Sequence, residues 1–228
     1  MRVLALYDIH GNVDALDDVL ADPRASDPDA VLVGGDVVPG PFAGETLDRL
    51  EGLTVPVHWV RGNGEREVAA AVGAPAPAPA DLAAVTSART AADLGRGRAR
   101  RLGGLPLAVE LDGVLYCHAS PRRDDEMLTR LSTPERWADA LAGAGARLVV
   151  AGHTHQQDDR RVGDVRFVNA GSVGLPYEGD GAARWLWVAA GARMLEAGWP
   201  DARSIGASLV EPVEPVVVTR IFEGIADG

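Results

Sequence analysis

Polar motifs in this chain recur directly after short apolar runs, and that arrangement constrains the fold more than any other feature. Residues 3–7 lead into Asp8-Ile9-His10-Gly11-Asn12, residues 30–33 into Gly34-Gly35-Asp36, and residues 55–60 into Arg61-Gly62-Asn63-Gly64-Glu65. Residues 114–117 lead into His118, and residues 148–151 into Gly152-His153-Thr154-His155. Apolar runs of about 4–8 residues bounded by turn residues read as strands buried on both faces. Helical periodicity follows the first motif through Val13, Leu16, Val19 and Leu20, and follows the second through Leu47, Leu50 and Leu53. Strand, loop, helix, strand is the pattern of crossover units and a largely parallel sheet. The carboxyl ends of such strands form one rim, where ligands collect.

That rim would gather Asp8, His10, Asp36, Asn63, His118, His153 and His155, and with them four of the chain's five histidines. Carboxylate, imidazole and amide oxygen form a hard-to-borderline donor set suited to Mn, Fe, Zn or Ni. Seven such donors match two divalent cations that share one carboxylate, and Asp36, on a glycine turn, is the natural bridge. Each motif alone has an ordinary reading: Asp8 as a helix cap, Gly62-Asn63-Gly64 as a turn, His118 as a structural histidine. Gly152-His153-Thr154-His155 is the most specific single element. The shared position after strands is what points to a metal centre. His58 is assigned to structure, and alternation turns Cys117 away from the rim as a small core residue.

The remaining sequence sets boundaries. At 228 residues, with 46% hydrophobic and 24% charged, the chain is read as one globular domain over 1–228. Residues 73–80 alternate Ala and Pro and cannot continue a helix, but metal motifs lie on both sides, so they form a loop inside the domain. Residues 81–94 read as a helix, and the run Arg96 to Arg101 as a solvated basic face. Asp112-Gly113 and Gly163-Asp164 between apolar runs signal hairpins. Two sheets packed face to face with helices outside satisfy both halves. The region after Trp187 looks short of strands for the edge of the second sheet, and the tail from Glu211 has little pattern.

No apolar stretch approaches the roughly 20 residues that span a bilayer. The first motif starts at Asp8, leaving no room for a signal peptide, so the expectation is a cytoplasmic protein without a membrane partner. The net charge of −11 argues against a nucleic-acid partner, and a homo-oligomer is compatible with the composition. All 22 basic residues are arginine, which excludes lysine nucleophiles and Schiff-base chemistry.

With D-I-H-G-N at 8–12, G-G-D at 34–36, R-G-N at 61–63, C-H-A-S-P at 117–121, G-H-T-H at 152–155 and N-A-G-S-V-G at 169–174, the chain resembles the calcineurin-like metallophosphoesterases. The likeness is to their small bacterial and archaeal phosphodiesterase-like members. It implies an α/β fold, a four-layer αββα sandwich of two mixed sheets with helices outside. It implies one metal held by Asp8, His10, Asp36 and His155, and a second by Asp36, Asn63, His118 and His153. Asn169 to Ser172 would support the site. The activity implied is hydrolysis of a small phosphorylated molecule or nucleotide by a hydroxide bridging the metals, with Asp36, Asn63 and His118 central to catalysis. Asn12, Arg122 and Arg123 are the candidate substrate contacts. Two departures bear on substrate: Gly64 stands where related protein phosphatases carry a leaving-group histidine, and no arginine follows Asp36. A histidine at 64 would supply the missing acid if the backbone tolerates a side chain. The alternatives are a non-catalytic metal- or nucleotide-binding regulatory module and a nuclease.

Overall fold

The computed structural model describes residues 1–178 and 182–189. The first half alternates strand and helix: β1 (Arg2–Leu6), α1 (Val13–Ala21), β2 (Ala30–Val33), α2 (Ala43–Glu51), β3 (Val57–Trp59) and α3 (Asn63–Ala71). After α4 (Leu82–Gly103) come β4 (Ala108–Leu111), β5 (Val114–Cys117), α5 (Pro134–Leu141), β6 (Leu148–Ala151), β7 (Asp158–Val162), β8 (Val165–Asn169) and β9 (Leu186–Ala189). One sheet has the order β3-β2-β1-β9 and the other β4-β5-β6-β8-β7. Strands β1, β2 and β3 are mutually parallel, as are β5, β6 and β8, whereas β9, β4 and β7 are antiparallel to their neighbours. Both sheets are therefore mixed.

Alternation of side chains builds the layers. On β1, Leu4 and Leu6 face a core shared with Leu16, Val19, Leu47, Leu50 and Val68 of the helices. Val3, Ala5 and Tyr7 face the other way, into a core closed by Val114, Tyr116, Leu148, Val150 and Val168 of the second sheet. The outer face of that sheet, with Cys117, Val149, Ala151 and Phe167, is covered by Trp137, Ala140 and Leu141 of α5. The result is a four-layer αββα sandwich, as the motifs implied. Helix starts follow capping chemistry: the Asn12, Asp81 and Thr133 side chains accept from backbone N–H groups of Ala15, Ala84 and Arg136.

Several boundaries differ from expectation for local reasons. The third strand, Val57–Trp59, is shorter than 55–60, although the Pro56 carbonyl and the Val60 N–H still bond to Val31 and Val33 of β2. The helix expected to end near Leu94 bends at Gly95 (φ 76°) and continues to Gly103, so the basic run lies on α4. There Arg98 pairs with Asp48 and Glu51, and Arg101 with Glu51, tying α4 to α2. The Ala/Pro segment is the connection between α3 and α4. Both expected hairpins form, β4–β5 around Asp112-Gly113 and β7–β8 around Gly163-Asp164. Trp187 lies in β9, which closes the first sheet against β1, not the edge of the second. The tail from Glu211 lies outside the described residues.

The largest side chains of the α5 layer meet in an aromatic contact. The Trp137 and Phe167 rings meet edge to face with centroids 4.8 Å apart, and the Arg160 guanidinium lies 4.2 Å above the Trp137 ring. Phe167→Ala should cost about 3–5 kcal/mol, the range for deleting a buried aromatic. The check is a fall in the urea midpoint with an unchanged slope; a loss below about 1 kcal/mol would show that α5 repacks over the gap.

Candidate metal centre

The parallel strands β1, β2, β3, β5 and β6 all deliver their carboxyl ends to one rim, and each end carries part of the site. The loops are stitched together there by backbone hydrogen bonds. Asp8, His10 and Gly11 N–H groups donate to Gly35, Asp36 and Val37 carbonyls, and Gly152 N–H donates to the His118 carbonyl. Five site residues adopt the left-handed backbone that side chains disfavour: Asp8 (φ 52°), His10 (φ 50°), Asp36 (φ 51°), His153 (φ 68°) and His155 (φ 58°). Such conformations cost about 1–3 kcal/mol each and persist only where the surroundings over-determine them.

Two clusters result. In one, Asp8, His10 and His155 offer ligand atoms that all lie within 4.8 Å of one another; in the other, Asp36, His118 and His153 do the same. Asp36 joins them. Its Oδ1 is taken by the Gly64 N–H at 2.7 Å, and its Oδ2 lies 3.8 Å from His10 Nε2 and 3.5 Å from His118 Nε2. The atom that faces both clusters is thus a single oxygen, Oδ2. Asp8 is arranged alike: Oδ2 accepts from the His153 N–H at 2.8 Å, and Oδ1 faces His155 Nε2 at 3.4 Å.

The imidazoles are aimed by the backbone. Nδ1 of His10, His118 and His155 contacts the carbonyls of Pro39 (3.3 Å), Gly34 (3.0 Å) and Leu175 (2.7 Å). A carbonyl only accepts, so each Nδ1 carries a proton and each neutral ring turns an Nε2 lone pair inward. His10 Nε2 and His155 Nε2 approach to 3.1 Å. Two lone pairs at that distance repel unless positive charge, a shared proton or a metal cation, lies between them. Asp8 Oδ1, Asn63 Oδ1 and His118 Nε2 are buried with no hydrogen-bond partner. Buried polar atoms are rarely left so, and these are the donor atoms divalent cations would take. Asn63 opens α3, and its Nδ2 donates to Glu67 Oε1 at 3.3 Å, which leaves the amide oxygen for the rim. The residues fit the metals implied by the motifs.

Charge balance in the metal-free site points the same way. Burial penalises the charge of Asp36, but His118 and His10 hold its carboxyl well below the usual carboxylate range. Burial likewise opposes a charged His118, yet the Asp36 and Asp8 carboxylates outweigh it and raise its pKa to about 10. His155 is raised against burial by its contact with Asp8, while burial lowers His10 and His153. A proton on His118 would occupy a place a cation could take.

The structure gives the candidate substrate contacts other duties. Asn12 is buried; its Oδ1 caps α1 and its Nδ2 donates to the Gly174 carbonyl at 3.0 Å, so the amide frames the site. Arg122 is held by Glu126 at 2.7 Å and Asp139 at 2.8 Å, and Arg123 by Asp125 at 2.9 Å. Both arginines are exposed and paired with carboxylates at the surface. His58 sits within β3 opposite Leu32 and joins neither cluster. The 169–172 segment is a brace: Asn169 Nδ2 donates to the Gly152 carbonyl and Thr154 Oγ1, and Ser172 Oγ donates to the Asp8 carbonyl. A Cβ on Gly64 would lie 2.0 Å from the Val38 carbonyl oxygen, so a histidine there would displace the Asp36 loop instead of supplying an acid.

Two residues at the rim had no role in the sequence reading. Glu65 is buried, and its carboxylate accepts from four backbone N–H groups of the Asp36 and Asn63 loops. An acid at the third position of a helix after a turn was the available signal. Tyr177 is 59% exposed, and its ring lies 4.6 Å from that of His155. Nothing local in the sequence marks it.

Residues 1–187 match the model of the calcineurin-like phosphoesterase superfamily domain. Among solved structures, a metallophosphoesterase from Sphaerobacter thermophilus is 23% identical, with a TM-score of 0.65 over 91% of this chain and 100% of that one. A hypothetical protein from Pyrococcus horikoshii is 17% identical, with a TM-score of 0.69 over 91% of this chain and 97% of that one. Vps29 from Chaetomium thermophilum is more distant, 14% identical with a TM-score of 0.50 over 83% of this chain and 80% of that one. No curated protein matches the chain. The family model covers most of the chain and every residue of the two clusters, and the chain belongs to the calcineurin-like phosphoesterase superfamily.

Proposed function

We propose that this protein is a metal-dependent phosphoesterase that hydrolyses a small phosphate ester, a diester in preference to a monoester. What supports this function is the pair of clusters that both face Asp36 Oδ2, together with buried Asp8, Asn63 and His118 atoms that lack hydrogen bonds. Two divalent cations held there would lower the pKa of water and neutralise charge on the phosphoryl oxygens. The chain's own residues orient the donors. Asp36 sets the spacing of the two clusters, the three carbonyl-tethered imidazoles fix ring direction, and the 169–172 segment keeps the Asp8 and His153 loops in register. Asn63 adds a neutral oxygen, which tempers the negative charge an anionic substrate would meet. A non-catalytic binding module is the rival, and turnover separates the two.

Chelation should abolish activity on phosphodiesters, and Mn should restore it. Asp36→Asn should lower turnover more than loss of any other single ligand, because its Oδ2 serves both clusters. Near wild-type turnover in Asp36→Asn, with His118→Ala inactive, would contradict the shared role of Asp36.

Metal binding should also release protons. The metal-free His118 has a raised pKa, so its pairing stabilises the fold below about pH 6.5 and is lost as pH rises through about 10. The depressed Asp36 contributes above about pH 4 and loses that contribution in acid. Cations replace the protons, so the Tm difference between Mn-loaded and metal-free protein should widen from pH 6 to pH 9 and close in acid. A constant difference across that range would mean that the metal does not bind at these imidazoles.

No protein acid stands at position 64, so protonation of the departing oxygen falls to water. General acid catalysis is worth about 10²–10⁴-fold, most for poor leaving groups. Rates on a series of aryl and alkyl diesters should therefore rise steeply as leaving-group pKa falls. A flat dependence would show that another residue supplies the proton.

A further inference from the structure

Glu65 lies at the third position of α3, fully within the protein, and touches no candidate ligand atom directly. Its Oε2 accepts from the Asp36 N–H at 2.8 Å and the Gly62 N–H at 2.7 Å. Its Oε1 accepts from the Val37 N–H at 2.9 Å and the Val38 N–H at 3.2 Å. Three of these donors belong to the loop after β2 that carries Asp36, and the fourth to the turn that carries Asn63. We infer that Glu65 is a positioning residue that locks these two loops together and so sets where the shared Asp36 oxygen and the Asn63 amide oxygen meet the metals.

The geometry needs a carboxylate. Two oxygens with about four acceptor sites match four N–H donors, and each oxygen takes two. A glutamine offers one oxygen and an NH2 group, so two of the four N–H groups would face hydrogens. Aspartate keeps the acceptors but is one methylene shorter and cannot reach both loops equally. The left-handed backbone of Asp36 (φ 51°) adds to the demand, since a strained residue holds its place only when its neighbours fix it. The Gly64 N–H to Asp36 Oδ1 bond, from the same turn of α3, orients the side chain once Glu65 has fixed the main chain.

This role rests on the metal-dependent reading above, and its test reads the metals rather than turnover. The full chain is stripped, reloaded with Mn(II), and followed by calorimetry and electron paramagnetic resonance. The unaltered protein should give the spectrum of an exchange-coupled pair. Glu65→Gln, folded by circular dichroism, should bind Mn about 10–100-fold more weakly, as when support behind a metal ligand is lost, and show uncoupled single ions. Glu65→Asp should fall between, with part of the coupled signal restored. A purely structural role would lower Tm and leave affinity and coupling unchanged, and that result in Glu65→Gln overturns the inference. If Glu65→Gln does not fold, unaltered affinity in Glu65→Asp overturns it. Absence of a coupled pair in the unaltered protein would overturn the dinuclear reading and this role with it, whereas coupling in every variant strikes Glu65 alone.

Discussion

Unpartnered donor atoms packed at one rim are the constraint around which the rest of this structure is arranged. His10 Nε2 and His155 Nε2 stand 3.1 Å apart, and Asp8 Oδ1, Asn63 Oδ1 and His118 Nε2 are buried without hydrogen bonds. Each such atom costs about 1–3 kcal/mol when left unsatisfied. A chain left to itself would swing these side chains to solvent. The backbone prevents it, because the loops that carry Asp8, His10, Asp36, His118 and His153 are pinned to one another by hydrogen bonds from their main-chain N–H groups.

Parallel topology makes that pinning possible. Parallel strands end side by side, so successive loops lie within hydrogen-bonding reach, as Asp8 N–H to Gly35 and His10 N–H to Asp36 illustrate. The antiparallel strands β4, β7 and β9 carry none of the donors. Glycine completes the arrangement where loops press together: a Cβ on Gly62 would lie 2.1 Å from Asp36 Oδ1. Close approach and left-handed backbone are two sides of one requirement, which is to gather Asp8, His10 and His155 in one cluster and Asp36, His118 and His153 in another, each with ligand atoms within 4.8 Å of one another.

The two Asp/His clusters were legible because strand ends advertise themselves: an apolar run, then Asp or His among glycines. Layering was legible from alternation and from the two hairpin signals. Other features depend on partners distant in sequence. Asn12 stands in a motif beside two ligands and reads as a substrate contact, yet its amide binds Ala15 and Gly174, and the latter lies far along the chain. Arg122 and Arg123 look available as a pair, but Glu126, Asp139 and Asp125 claim them. Glu65 is visible as a helix-start acid, whereas its bonds to Val37 and Val38 exist only after β2 and β3 pair. The reach of α4 past Gly95 was hidden because its last turns bury only Ala99 and Leu102 among a run of arginines, and Arg98 and Arg101 are held by acids of α2 distant in sequence.

The same carboxylate pairing bears on how an anion is bound. Arg61 and Arg66 both lean on buried Asp124, and Arg66 and Arg123 both reach Asp125. The guanidinium groups on this flank therefore already face fixed negative charge and have little left for a phosphoryl group. Asp8 and Asp36, both held below the usual carboxylate range, add buried negative charge of their own, within a chain of net charge −11. An anionic substrate approaching the bare site meets repulsion; attraction begins only when cations outweigh the carboxylates. On the metal-dependent function proposed above, metal would precede substrate, and the arginines of this flank, already paired with carboxylates, would do little to offset a second negative charge on a phosphoryl group.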